Sequence, residues 1–445
     1  MSLNQTPTAN RIHIGIFGRR NAGKSSLINA ITNQNIAIVS EIKGTTTDPV
    51  QKAMELAPLG PVVLIDTPGL DDDQELGNLR IQKAVEVLNK TDIALLVVDA
   101  TCGLSDEDME ILEKIQKRQI PCVVVLNKMD LCVDVNEKIK SIEEETFKER
   151  CIKTEINWER INGEKNDVIS SKTIENSEEK AKRSNEVEVT TLMVSTVTGE
   201  NIKELKDLIG SIVPIKTVST PLVGDLIDPG DNVVLVIPID DGAPKGRLIL
   251  PQQQVIRDIL EREANAIVVK ETQLEEMFQT LNKPPALVIT DSQIFESVSK
   301  VVPSEILLTS FSILFARVKG VLEVALKGAY ALKELKKGDK VLISEGCTHH
   351  RQCNDIGTVK LPKWIQEYTG HPLEFEFTSG KEFPYELTKY SCIVHCGGCM
   401  LSEREVRWRM ELAKEREVPF TNYGIAIAQM NGILERSIQP FNLRK

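Results

Sequence analysis

The chain of 445 residues contains no apolar run of about 18 residues, so it offers no candidate transmembrane helix. Its first segment, Met1 to Arg11, lacks the apolar core of a secretion signal. It also lacks the Arg-rich amphipathic pattern of an organelle-targeting peptide, which makes the cytoplasm the expected location. There is no surplus of positive charge either. The net charge is -11, whereas a broad nucleic-acid surface needs cationic groups to displace counterions. Neither a nucleic-acid partner nor a membrane is therefore expected. The nine cysteines are an odd number, which in a cytosolic chain points away from a disulfide framework. No fixed-period repeat is visible.

What is present suits a soluble globular protein. The hydrophobic fraction is 41%, and the length allows roughly two to four domains with real cores. Residues 12–17 read as a strand running into a glycine-rich turn, and 24–32 as the helix that follows. Apolar runs at 61–65, 93–98 and 121–126 alternate with helical patterns at 78–90 and 105–118. Such alternation builds a mostly parallel α/β sheet. Residues 133–190 are rich in Lys, Glu, Asn and Ser and read as a solvated insertion. A strand over 190–195 and a helix over 200–212 complete the first domain, 1–217. After a linker at 214–221, strands at 233–239, 265–270, 286–290 and 304–308 alternate with helices at 252–263, 271–282 and 291–301. This is a small α/β domain over 218–312. A third, over 313–445, starts with a helix at 320–335 and a strand at 340–345. It continues with a helix at 355–368, a strand at 374–377 and an apolar stretch at 390–394, and closes with helices at 402–416 and 423–435. The fold class is α/β: an N-terminal P-loop domain followed by two smaller α/β domains.

Gly18-Arg19-Arg20-Asn21-Ala22-Gly23-Lys24-Ser25 fits the P-loop pattern in the required strand–turn–helix context. The glycines let the backbone wrap phosphates with its N–H groups pointing inward. Ala22, Gly23 and Ser26 belong to this cradle. Lys24 supplies a cation to the β- and γ-phosphates, and the Ser25 hydroxyl suits Mg²⁺. Asp66-Thr67-Pro68-Gly69 follows an apolar strand. Asp66 can hold Mg²⁺ through water, and the Gly69 N–H can sense the γ-phosphate. Thr46, in the run Thr45-Thr46-Thr47, is the best candidate for a switch threonine that closes on Mg²⁺. Lys24, Thr46 and Gly69 are thus the candidate catalytic groups. Asn127-Lys128-Met129-Asp130 ends another strand. Asp130 can accept hydrogen bonds from N1–H and the exocyclic amine of guanine, a donor pair that adenine lacks. Asn127 would tie this base loop to the P-loop, and Ser195 and Thr196 would meet the guanine oxygen. GTP is the expected ligand.

A second constellation lies near the C-terminus. Cys347-Thr348-His349-His350 follows the strand at 340–345, and His395-Cys396-Gly397-Gly398-Cys399 follows the stretch at 390–394. In α/β folds that edge is where ligands bind. Cys347, His349, His395, Cys396 and Cys399 are the candidate metal ligands. Spacing alone weighs structural zinc and an iron–sulfur cluster about equally, with a redox pair lower. Cys353 and Cys392 are near enough in sequence to be extra ligands, but either is more often a small buried residue.

The nucleotide motifs resemble the branch of GTPases that includes tRNA-modification and ribosome-assembly members. Leu70 stands where Ras-like proteins place a water-orienting Gln, and Asn21 where potassium-activated members place an Asn ligand. With the C-terminal Cys-x-His and His-Cys-x-x-Cys pieces, nearly the whole chain resembles the [FeFe]-hydrogenase maturation GTPases, the HydF family. The insertion at 133–190 is the exception. The resemblance implies a [4Fe-4S] cluster on Cys347, Cys396 and Cys399, with His349 or His395 as possible ligands of the fourth iron. It implies a scaffold that takes a diiron subcluster precursor from the radical-SAM maturases HydE and HydG and delivers it to the hydrogenase HydA. It also implies a homodimer formed through the middle domain. The competing expectation is a ribosome- or tRNA-associated GTPase with a structural zinc module.

The Asn21 resemblance generates a test. GTP turnover should be faster in potassium than in sodium at equal ionic strength, and equal rates in the two salts would remove potassium from the cofactors.

Overall fold

The computed structural model describes residues 11–32, 40–42, 51–67, 84–132, 189–212, 220–239, 248–346, 355–380 and 382–441. By its contacts the chain divides into two compact units, Met1–Thr217 and Val218–Lys445. The expected insertion at 133–190 lies outside the described residues up to 188.

Among the described residues of the first unit, seven strands form one sheet: β1 Ile12–Phe17, β2 Ser40–Ile42, β3 Gln51–Leu56, β4 Gly60–Asp66, β5 Ile93–Asp99, β6 Cys122–Asn127 and β7 Val189–Met193. Their spatial order is β2-β3-β4-β1-β5-β6-β7. From β4 to β7 every pairing is parallel, while β2 and β3 add antiparallel at one edge. The parallel strands are near-continuous apolar runs because both of their faces are covered. Alternate residues serve opposite faces: Phe17, Leu96 and Val124 enter one core, and Ile16, Leu95 and Val123 the other. Full burial of each such side chain stabilises by roughly 1.5–3 kcal/mol. The helix Asp106–Lys117 opens with a capping box in which Ser105 and Asp108 satisfy each other's backbone N–H, and it ends with Lys114 and Lys117 in its last turn. β3 was not expected from sequence. Its Lys52 and Glu55 weaken the apolar signal, and pairing with β4 places Ala53 and Met54 in the two cores.

Among the described residues the second unit holds two four-stranded, wholly parallel sheets. One has β8 Asn232–Val236, β9 Asn265–Val269, β10 Leu287–Thr290 and β11 Leu307–Ser310 in the order β11-β10-β8-β9. The other has β12 Lys340–Glu345, β13 Glu374–Ser379, β14 Cys392–His395 and β15 Phe420–Asn422 in the order β13-β12-β14-β15. They share a core, because Val234, Val288 and Leu308 of the first sheet cluster with Leu342, Ile393 and Phe420 of the second. The expected start of a third domain near 313 falls inside a helix, Phe311–Val318, that the sequence pattern did not mark. Its residues Phe311, Ile313, Leu314, Phe315 and Ala316 are all buried, and at 8 residues it is too short for a helical period to stand out. The short β15 was also missed, since three residues carry no periodicity. The expected helix over 423–435 breaks at Gly432 (φ 71°) into Tyr423–Met430 and Leu434–Ile438.

The helix Leu322–Ala331 lies directly on β15 through Gly328, where a Cβ would stand 2.1 Å from the Phe420 carbonyl oxygen. Gly328→Ala should therefore force helix and strand apart and cost about 1–3 kcal/mol. Urea unfolding read from the second unit checks this, and an unchanged midpoint would show that the contact is not tight.

Candidate functional site

The P-loop leaves the carboxyl end of β1 and enters the helix Lys24–Thr32. Two of its glycines are required by contact as well as by conformation. At Gly18 (φ 132°) a Cβ would lie 2.1 Å from the Val97 carbonyl oxygen, and at Gly23 (φ 97°) 2.1 Å from Asn127 Nδ2. Asn21 adopts the left-handed region at φ 62°, which Asn tolerates better than most residues. Lys24 curls back over the loop, its Nζ donating to the carbonyls of Gly18 and Arg19 at 2.8 Å each. Ser25 Oγ donates to Asp66 Oδ2 at 3.1 Å, joining the P-loop to the end of β4. Burial raises the Asp66 pKa against the Ser25 hydrogen bond and the Lys24 charge, and its Oδ1 is buried with no hydrogen-bond partner among the described residues.

Asn127 organises the opposite end of the cleft. Its Nδ2 donates to the Ala22 carbonyl at 3.0 Å, and its Oδ1 accepts from the Thr196 N–H at 3.2 Å. One amide thus fastens the P-loop to the loop after β7. Ser195 Oγ donates to Asp130 Oδ1 at 2.6 Å and accepts from the backbone of Thr198 at 3.1 Å. Lys128, at φ 67°, pairs with Asp99 Oδ2 at 2.6 Å. Burial pushes the Asp99 carboxyl up, but hydrogen bonds from Lys128 and Thr101 more than offset this and leave its pKa lowered. The cleft measures about 830 Å³ and is lined by Asn21, Gly23, Lys24, Ser25, Ser26, Asp66, Asn127, Lys128, Asp130 and Thr196. Its volume suits a nucleotide-sized ligand. Thr46, Gly69 and Leu70 lie outside the described residues. Two neighbours were missed in the sequence. Asp99 ends β5 and was legible only as an acid at a strand end. Leu131 lines the cleft although largely exposed, and an isolated apolar residue in a loop gives no signal.

The cysteine loop follows β14. The thiol of Cys396 accepts the backbone N–H of Gly346 at 3.0 Å and of Gly398 at 3.3 Å. Burial raises the pKa of Cys396 and of Cys399. The two N–H donors oppose this at Cys396, as does the Lys319 charge at Cys399. Gly398 (φ 63°) closes the turn, and a Cβ there would meet Val406 Cγ2 at 2.9 Å. The Nδ1 of His395 donates to the Cys396 carbonyl at 2.7 Å, so Nε2 is the acceptor for Arg409 Nη1 at 3.2 Å. Both ring nitrogens are hydrogen-bonded within the chain and the ring is buried, so His395 supports the loop. Burial, then the Arg409 charge, pulls its pKa down to about 3, so it stays neutral. Arg409 is itself buried and pairs with Glu405 at 2.8 Å. Cys392 is a core residue, with burial pushing its thiol up to about 12. Cys347, His349 and Cys353 lie outside the described residues, and among the described residues no three His, Cys, Asp or Glu side chains gather for a metal.

Comparison with known proteins follows this division. Residues 13–128 match a family model described as a 50S ribosome-binding GTPase, 222–320 a hydrogen maturase F dimerization domain, and 323–440 a hydrogen maturase F tetramerization domain. The expected homodimer thus gains a tetramerization domain that the sequence reading did not anticipate. The tRNA modification GTPase MnmE of Desulforamulus reducens is 39% identical over 117 residues, 26% of this chain and 25% of the relative. GTPase Der of Kosmotoga olearia is 38% identical over 134 residues, 29% of each chain. The chain spans about a quarter of the length of these curated relatives. Among the described residues no helix is long and apolar enough to cross a membrane.

The base end of the cleft makes a selective prediction. Asp130→Asn replaces an acceptor with an amide donor, so GTP affinity should fall on the order of 100-fold or more. Xanthosine triphosphate, whose ring offers an acceptor at that position, should bind better than GTP. Titration with both nucleotides checks it, and unchanged GTP affinity would remove Asp130 from base recognition.

Proposed function

Because the chain belongs to the hydrogen maturase F family, we propose that it is a GTP-hydrolysing scaffold and carrier that binds a [4Fe-4S] cluster. In this role it assembles the diiron subcluster precursor and delivers it to [FeFe]-hydrogenase. The observation that carries this reading is the run of matches: a GTPase domain followed by both domains described for hydrogen maturase F. A ribosome- or tRNA-associated GTPase with a structural zinc accounts for the first match and not for residues 222–440. HydE and HydG are the proposed donors of the precursor, HydA its recipient, and further copies of this chain its oligomeric partners.

Hydrolysis is assigned to the cleft of the first unit. The N–H groups of Gly18–Ser25 and the Lys24 ammonium take the charge of the β- and γ-phosphates, Lys24 exchanging its two carbonyl partners for phosphate oxygens. Ser25, Thr46 and Asp66 are the proposed Mg²⁺ residues. The buried Oδ1 of Asp66, without a partner among the described residues and beside the Ser25 hydroxyl, supports that fit, since it leaves oxygen acceptor capacity for a hard cation. Mg²⁺ supplies neutralisation of phosphate charge. The Gly69 N–H and Thr46 would close on the γ-phosphate. Leu70 in place of a water-orienting Gln makes hydrolysis slow, and Asn21 is the proposed potassium ligand. Asp130 reads guanine, and Asn127, Lys128, Ser195 and Thr196 hold the base loops.

The cluster is assigned to Cys347, Cys396 and Cys399, with His349 as a candidate fourth ligand. The donor set fits: sulfur ligands stabilised by backbone N–H groups, as at Cys396, are what an iron–sulfur cluster uses. The cluster supplies an iron site open to exchange. His395, Ser344 and Gly346 hold the loop in place around it.

Protein prepared and reconstituted without oxygen should carry iron and sulfide. Cys396→Ser should lose most of both while GTP affinity is retained. An iron-free native protein with stoichiometric zinc would overturn the reading, and loss of GTP binding in the variant would assign Cys396 to the fold instead.

A further inference from the structure

Two cations are buried beside the cysteine loop, and they differ in one respect. Arg409 has a carboxylate: its Nη2 meets Glu405 Oε1 at 2.8 Å. Lys319 does not. It follows the helix Phe311–Val318, and among the described residues its Nζ is hydrogen-bonded only to backbone carbonyls, those of Gly398 and, at 3.1 Å, Leu401. These two carbonyls bracket Cys399. The Lys319 side chain is buried; burial pulls its pKa down to about 8, against the opposing pull of Cys399, Cys396, Glu403 and Glu405.

Holding a loop by two carbonyls does not require a charge; a neutral amide would do it. Burying an ammonium on neutral acceptors alone is expensive and is relieved by a nearby anion. The turn is also built to keep the amine in place. Arg407 Nε donates to the Lys319 carbonyl at 2.9 Å, and at Gly320 (φ 68°) a Cβ would lie 2.7 Å from the Arg407 guanidinium. Lys319 comes from the end of the segment matched as a dimerization domain, 222–320, and reaches a loop of the segment matched as a tetramerization domain, 323–440. The charge is therefore brought to the cysteines from a separate part of the chain.

We infer that Lys319 is the counter-cation of the thiolate-bound cluster, a positioning residue that locks the Gly398–Leu401 turn and offsets the negative charge gathered on Cys396 and Cys399. The inference rests on the cluster assignment above. A cluster held by thiolates is anionic and gains a further negative charge on reduction, and net charge near a cluster sets its reduction potential. A fixed ammonium favours the reduced form and raises that potential. It acts on the cluster without ligating it.

The test compares the full-length native protein with Lys319→Gln and Lys319→Arg after anaerobic reconstitution. Iron and sulfide content, GTP hydrolysis and the midpoint potential from a redox titration followed by electron paramagnetic resonance are measured on each. Gln retains hydrogen bonding without charge. It should give a loaded cluster with a more negative potential, or lose the cluster where Arg keeps it, with GTP hydrolysis unchanged in both variants. Gln at the native potential overturns the inference, because charge is then irrelevant. Loss of the cluster in both variants overturns it too, because the shape of the turn is then what matters. A native protein without iron removes the cluster assignment itself, which distinguishes that failure from the other two.

Discussion

Parallel strand pairing sends every loop that carries chemistry out of one edge of its sheet, and the rest of the molecule is arranged around that constraint. In the first unit the P-loop leaves β1, Asp66 ends β4, the Asn127–Asp130 loop leaves β6 and Ser195 follows β7. Four segments far apart in sequence therefore converge on one cleft. In the second unit β12 and β14 are parallel neighbours, with Ser344 opposite His395 in register, so the loops that continue to Cys347 and Cys396 start side by side. Both candidate sites obey the rule that open parallel sheets bind ligands beyond the carboxyl ends of their strands.

At each edge, convergence brings backbone so close that side chains are excluded. Gly18 and Gly23 have no room for a Cβ against Val97 and Asn127, and Gly398 has none against Val406. The space that glycine frees is used for hydrogen bonding. The Asn127 amide reaches the Ala22 carbonyl, and the Gly398 N–H reaches the Cys396 sulfur. Buried polar groups then fix the geometry, since a half-satisfied network in a low-dielectric interior is costly. Asn127 satisfies two loops with one side chain. Glu405, Arg409 and His395 form a chain that ends on the Cys396 carbonyl.

Membership of the hydrogen maturase F family gives the two sites a common context: a GTPase cleft in the N-terminal part of the sequence and a cysteine loop in the C-terminal part. Much of this was readable without coordinates. The P-loop and the Asn127–Asp130 signature announce themselves because their chemistry is local, with a few residues at fixed spacing doing one job. The major strands were readable because double-sided burial demands unbroken apolar runs, as in Ile93–Asp99. Other elements were not. The helix Phe311–Val318 and the strand β15 are too short for a period to stand out, and β3 owes its existence to pairing with β4.

The sequence by itself determined the ligand class, the α/β architecture and the residue types at both sites, because short-range spacing and hydrophobic patterning encode those directly. Tertiary structure alone decided what individual polar side chains face. His395 stands next to a cysteine in sequence and looks like a ligand, yet Arg409, fourteen positions on and in a different element, claims its second nitrogen. Lys319 looks like any lysine after a helix, yet folding buries it against carbonyls of the cysteine loop 79 and 82 residues away. Hydrogen-bond partners at such separations are set by how sheets and helices pack, and no local pattern carries that information.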